Sequence, residues 1–242
     1  MRIAVISDIH GNATAFEAVL ADLEKQEALA ATYCLGDNVG YGPEPEKVVS
    51  LLQRHQIPSV LGNHELAINR PETLSWFNPT ARTSLERTMQ MLSAETRTFL
   101  AGMPAFMIRE GCRYVHGFPP DSPTTYLFEV NPEEIRQTLN RLEERIVFVG
   151  HTHELLIIGN DGTAVTTNPL TEGTIPLDSG KQYLINIGSV GQPRDGSREA
   201  KYVIYDSAAG ELTVRFVDYD VEDTVQKIYR QGLPEQHAWR LL

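Results

Sequence analysis

Short apolar runs recur along the chain, each closing on a polar turn: RIAVIS before Asp8, TYCLG before Asp37, IPSVLG before Asn63, RYV before His116 and IVFVG before His151. Runs of this kind, bounded by turn residues, predict buried strands. Between the first two, NATAFEAVLADLEKQ places apolar residues at 13, 16, 19, 20 and 23, which is helical spacing. PEPEKVVSLLQRH reads as a second helix, opened by Pro43 and Pro45. The opening is therefore β-α-β-α-β, with IPSVLG as the third strand and helices covering the sheet.

The alternation then breaks. Residues 64–101 are polar and helical in pattern, and the stretch at about 70–102 is expected as a helical insertion at the mouth of the site. From Ala105 strands return. AFMIREGCRYVHG reads as a hairpin with Cys112 in its turn, and ELLIIGNDGTAVTT as another with Asp161-Gly162 at its tip. NPEEIRQTLNRLEE, between them, is a helix with Asn131 as a cap before Pro132. TIPLDS, KQYLINIG and AKYVIYDSAAGELTVRFVDY are further strands, and a helix closes the chain. No repeat, low-complexity tract or linker divides it. Residues 1–242 are expected to form one α/β domain of two packed sheets with helices outside.

Composition narrows the class. With 242 residues, 41% hydrophobic and 22% charged, the chain is long enough for a substantial core. No stretch approaches the ~20 apolar residues of a membrane helix. RIAVI already reads as a strand, so no secretory signal is expected. Cys34 and Cys112 read as unpaired thiols of a reducing compartment, and the expected location is the cytoplasm. A net charge of −11 does not favour nucleic acid as a partner. An anionic substrate would need local positive charge, which a metal can supply.

The candidate chemistry lies in the strand-end turns: Asp8 and His10, Asp37, Asn63 and His64, His116, and His151 and His153. In sheets covered by helices, ligands gather at the carboxyl ends of strands. Each pattern alone is weak, since Asp-x-His fits a helix cap and Gly-Asp fits an ordinary turn. The inventory is stronger: the chain has 7 histidines, and the only ones outside these turns are His55, ending a helix, and His237, in the polar tail. Imidazole, carboxylate and amide without thiolate suit two borderline divalent ions such as Mn, Fe, Ni, Co or Zn. One carboxylate must bridge them, and Asp37 is the natural candidate. Arg194, in a glycine-rich loop, and Asn38, beside Asp37, are candidate substrate contacts; Arg194 reads equally well as a surface residue ordering its loop through Asp195. Tyr41, Trp76, Phe77, Phe118 and Tyr126 flank the turns, where core packing is the simpler reading and a pocket wall the alternative.

Taken in order, Asp8-Ile-His10, Gly36-Asp37, Gly62-Asn63-His64-Glu65, His116 and Gly150-His151-Thr152-His153 resemble the motif set of the calcineurin-like metallophosphoesterase superfamily. GDNVGYGPEP, WFNPTAR, HGFPPDSPTTYL and INIGSVGQPRDG extend the resemblance to the small bacterial and archaeal branch related to the YfcE-type phosphodiesterases. The fold this implies is a four-layer αββα sandwich of two mixed sheets. The resemblance also implies that Asp8, His10, Asp37 and His153 hold one metal, and that Asp37, Asn63, His116 and His151 hold the second. His64 would protonate the leaving group or steady the phosphoryl oxygens, while a hydroxide shared by the two ions attacks phosphorus. One departure stands out. The serine/threonine phosphatases of the superfamily read G-D-x-x-D-R-G, whereas Gly40 and Tyr41 replace that Asp-Arg here.

The expected activity is thus that of a metal-dependent phosphodiesterase hydrolysing a small nucleotide-like diester or a dinucleoside polyphosphate. A phosphomonoesterase or serine/threonine protein phosphatase is the alternative. A scaffold that has lost its metals should also have lost ligands, yet every motif position is filled. A nuclease would need a basic groove that the composition does not supply.

Overall fold

A computed structural model describes all 242 residues. The chain opens with β1 (Arg2–Ile6), α1 (Ala13–Leu23), β2 (Leu29–Cys34) and α2 (Pro45–Arg54). A helical segment follows: α3 (Asn63–Asn69), a 3-10 turn (Pro71–Trp76), α4 (Pro79–Met91) and α5 (Ala94–Ala101). Then come β3 (Phe106–Arg109), β4 (Cys112–Val115), α6 (Pro132–Arg141), β5 (Ile146–Val149), β6 (Leu155–Asn160), β7 (Val165–Pro169) and β8 (Gly173–Pro176). β9 (Gln182–Ile187), β10 (Ala200–Asp206), β11 (Glu211–Val217), α7 (Val221–Arg230) and α8 (Glu235–Trp239) complete it.

Two mixed sheets result, ordered β2-β1-β10-β11-β8 and β3-β4-β5-β9-β6-β7. Period-two alternation explains why their central strands read as unbroken apolar runs. Ile3 and Val5 of β1 point into the core between the sheets, while Ala4 and Ile6 pack under α1 and α2. In β5, Ile146 and Phe148 enter that central core, and Val147 and Val149 meet Ile135 and Leu139 of α6. Four layers, αββα, follow. Side-chain caps fix the helix starts: Asn131 accepts from Glu134 N–H at 2.9 Å, as expected, and Asn12 accepts from Ala15 N–H at 3.1 Å.

Three expectations need correction. IPSVLG is not a strand; it makes one parallel bridge, Cys34 with Ser59. Pro58 has no N–H to give, and Leu61 N–H leaves the ladder for Pro104 O at 2.8 Å. Cys112 starts β4, and the hairpin turns instead on Glu110 and Gly111, both left-handed, with φ 54° and 71°. The chain closes on two helices, α7 and α8, not one. No helix is long and apolar enough to cross a membrane.

Cys34 and Cys112 are free and buried. Burial pushes each thiol up to about 12. Both are expected to be silent to a thiol reagent at pH 8 in the native protein and to react fully after unfolding; rapid native labelling of either would contradict this packing.

Candidate metal centre

β1 and β2 run parallel in one sheet, and β4, β5 and β9 run parallel in the other. Their carboxyl ends meet along one edge, and each delivers a turn. These turns enter the left-handed region at residues other than glycine: Asp8, His10, Asp37, His151 and His153 have φ 54°, 52°, 50°, 68° and 62°. Such backbone costs of order 1–3 kcal/mol per residue and persists only where its surroundings dictate it. Here hydrogen bonds do so. Asp8 Oδ2 accepts from Ser7 Oγ at 2.6 Å and from His151 N–H at 3.1 Å. Asp37 Oδ1 accepts from His64 N–H at 2.9 Å. The buried carboxylate of Glu65 gathers the N–H groups of Asn38, Asp37 and Gly62 at 2.8, 2.9 and 3.0 Å. Gly150 allows the β5 turn to close on the β1 turn, because a Cβ there would lie 2.1 Å from Ser7 Oγ.

The side chains converge with their far sides anchored. His10 Nδ1, His116 Nδ1, His153 Nδ1 and His151 Nε2 face the backbone oxygens of Val39, Leu35, Gln192 and Thr124 at 3.4, 2.9, 2.5 and 3.2 Å. A carbonyl only accepts, so each of these nitrogens carries a proton, and in the neutral ring the opposite nitrogen presents a lone pair inward. Those lone pairs meet: His10 Nε2 lies 3.0 Å from His153 Nε2, and His116 Nε2 lies 3.2 Å from His151 Nδ1. Asn63 Oδ1 is 3.0 Å from His116 Nε2, and Asp8 Oδ1 is buried without a partner. Facing lone pairs beside an orphaned carboxylate oxygen repel unless a cation lies between them, so the donor set fits divalent metal. Three groups bring their ligand atoms within 4.8 Å of one another: Asp8, His10 and His153; His10, Asp37 and His64; Asp37, His116 and His151. Asp37 joins the second and third.

The electrostatics agree. Burial alone would raise the Asp37 carboxyl, but His116, His64 and His10 hold it well below the usual carboxylate range. Burial works against His116 too, yet Asp37 lifts it to about 9. Burial, helped by His116, depresses His151 to about 3, and burial takes His153 to about 4. His151 and His153 are thus held neutral, the form that binds metal, whereas His116 must give up its extra proton to do so.

The calcineurin-like phosphoesterase superfamily domain matches residues 1–210, which contain all of these turns. The chain belongs to the calcineurin-like phosphoesterase superfamily. It is 36% identical over 245 residues to MJ0912, an uncharacterised protein of Methanocaldococcus jannaschii, covering 99% of this chain and 96% of that one. A metallophosphoesterase structure from Sphaerobacter thermophilus superposes with a TM-score of 0.85 at 36% identity, covering 100% and 98% of the two chains. The hypothetical protein PH1004 of Pyrococcus horikoshii shares the fold, with a TM-score of 0.80 at 20% identity and coverage of 99% and 97%.

The structure explains how this phosphoesterase departs from the G-D-x-x-D-R-G pattern. His64 Nδ1 is buried with no hydrogen-bond partner. Its ring is held by packing: Tyr41, His10 and Phe77 meet it edge-on, with centroids 4.5, 4.6 and 5.3 Å away. A Cβ on Gly40 would lie 2.0 Å from His64 Nδ1, and Gly40 has φ 90°. Gly40→Asp is therefore expected to displace His64 rather than support it. Strain and overpacking of about 3 kcal/mol would lower Tm by roughly 5–10 °C, with activity falling at least about tenfold. Thermal melts and steady-state rates check this; a stable, more active variant would contradict it.

Asp8, His10, Asp37, Asn63, His64, His116, His151 and His153 all gather in the centre. Asn38 does not. It is fully buried, its amide nitrogen donates to Ser59 Oγ at 3.0 Å, and its oxygen accepts from Cys34 Sγ at 3.1 Å. Both ends are spent inside the fold, so it has nothing to offer substrate. Arg194 is exposed on the loop after β9, bonded to Gln192 Oε1 at 3.2 Å; Asp195 pairs with Lys201 instead. Phe118 is core, whereas Tyr41, Trp76, Phe77 and Tyr126 line a cleft of about 320 Å³ bordered by Asn63 and His151. Core packing thus describes only part of that aromatic set. Thr73, Asn78 and Ala81 of the helical segment also line this cleft. The largest correction is His237. It is 3% exposed, not a tail residue, and its ring packs on Tyr41 with centroids 4.6 Å apart. Only the docking of α8 places it there.

Proposed function

We propose that this metallophosphoesterase is a two-metal phosphodiesterase of the branch related to the YfcE-type enzymes, acting in the cytoplasm on a nucleotide-like diester or a dinucleoside polyphosphate. The observation that carries the diester reading is a pair of clefts, about 320 and 390 Å³, that adjoin across Tyr41. A monoester has one organic arm to accommodate; a diester has two. Asp8, His10, Asp37 and His153 are assigned to one ion, and Asp37, Asn63, His116 and His151 to the other. Two divalent ions there, of the Mn, Fe, Ni, Co or Zn type, supply Lewis-acid charge and lower the pKa of water. His64 works beside them through Nε2, which lies 3.8 Å from Asp37 Oδ2, since Nδ1 is sealed against Gly40. Burial holds His64 well below its ordinary pKa, so it acts as a neutral N–H donor to a phosphoryl oxygen. Arg194 is assigned as a further phosphate contact.

The test is turnover of bis-p-nitrophenyl phosphate against p-nitrophenyl phosphate by chelator-stripped protein with Mn²⁺ restored. Metal-dependent preference for the diester is expected. Preference for the monoester would favour a phosphomonoesterase. Trp76 is 68% exposed at the cleft mouth, where a base can stack. Trp76→Ala is expected to raise KM for a nucleotide diester about tenfold and to leave kcat nearly unchanged; an unchanged KM would remove base stacking on Trp76.

A further inference from the structure

We propose that Arg194, Arg240 and His237 form an anion subsite that holds a second, non-transferred phosphate group of the substrate. The inference rests on the phosphodiesterase reading and narrows it to substrates that carry two phosphates.

Arg194 comes from the loop after β9 and Arg240 follows α8. Their guanidiniums meet at one acceptor, Gln192 Oε1, at 3.2 and 3.4 Å. The arginines that pair with carboxylates are others: Arg113, Arg136 and Arg215. Asp195, next in sequence to Arg194, is held by Lys201 at 3.0 Å. Two like charges drawn together on a neutral amide repel, and an anion between them reverses that. Guanidinium forks fit the oxygens of phosphate. In a chain of net charge −11, this is a local reversal of sign.

The same amide defines a third donor. Gln192 Oε1 is taken by the arginines, so Nε2 is the atom that faces His237 Nδ1, at 3.4 Å. An amide nitrogen only donates, so His237 Nδ1 accepts and the ring proton sits on Nε2. That Nε2 is buried and has no partner. A buried N–H without an acceptor is rare and asks for one. His237 and Arg240 both line the cleft of about 390 Å³.

The subsite adjoins the metal centre. Gln192 O accepts a hydrogen bond from His153 Nδ1, and Tyr41 packs between His237 and His10, with centroids 4.6 and 4.4 Å away. Tyr41, Asn78 and Ala81 are shared with the aromatic cleft. α8 lies beyond residues 1–210, so His237 and Arg240 are additions to the part of the chain that carries the superfamily match.

Calorimetric binding of ADP and AMP to the Mn²⁺-loaded protein tests this. ADP is expected to bind at least about tenfold more tightly than AMP. The ratio should fall to within about twofold in Arg240→Ala and in Arg194→Ala, and recover in part in Arg240→Lys, which keeps the charge. Equal binding of the two nucleotides by the wild type overturns the subsite, as does a ratio that survives both alanine variants. Wild-type turnover of bis-p-nitrophenyl phosphate reports separately on the reaction: its absence with ADP preference intact would remove the phosphodiesterase and leave the subsite.

Discussion

His64→Ala is expected to lower kcat about 10²–10³-fold, and by a similar factor for diesters with good and poor leaving groups. The reason lies behind the ring. A histidine that delivers a full proton is commonly steadied by a carboxylate on its far nitrogen. Here that nitrogen meets Gly40, has no partner and is walled in by Tyr41 and Phe77. Burial disfavours the imidazolium, outweighing the opposite pull of Asp37. A neutral ring gives one hydrogen bond through Nε2, and its loss costs what one preorganised donor is worth. His64→Gln, which keeps an N–H donor, should recover about tenfold of the loss. Brønsted plots for wild type and variant, across leaving groups from p-nitrophenol to an alkyl alcohol, decide the matter. A deficit that grows with leaving-group basicity would restore His64 as a general acid.

What the sequence revealed, and what it hid, follow one physical division. Strands buried on both faces, such as β1 and β5, are continuous apolar runs, so they read plainly. Their polar turns carried the metal-type residues, so the centre was legible as a set. IPSVLG misled because the destination of Leu61 N–H, the Pro104 carbonyl, is a tertiary fact. The left-handed backbone at Asp8, His10, Asp37, His151 and His153 was invisible for a similar reason. Asp and His visit it more readily than most residues but far less than glycine, and the bonds that impose it come from distant turns. Glu65 stood in the motif without a role until its hydrogen bonds to the Asp37 turn were seen. His237 was hidden most deeply. Gln236, Trp239 and Arg240 around it are exposed, and its burial depends on a short helix docking against Tyr41.

Asp37→Asn should have the largest effect of all. Asp37 Oδ2 lies 3.3 Å from His116 Nε2 and 3.7 Å from His10 Nε2, so this one oxygen reaches both halves of the cluster. Asp8 reaches only the half with His10 and His153, at 3.6 and 3.3 Å. An amide in place of Asp37 keeps an oxygen for His64 N–H and removes the negative charge, so the fold should survive while the shared ligand does not. Under the proposed two-ion assignment, metal content is expected to fall from two ions per chain to one or fewer. Losing several kcal/mol of charge stabilisation should lower kcat/KM at least about 10³-fold. Elemental analysis, far-UV circular dichroism and diester turnover on one preparation separate the outcomes. A folded variant that keeps both ions and a tenth of the wild-type rate would show that the two halves of the centre are not joined through Asp37.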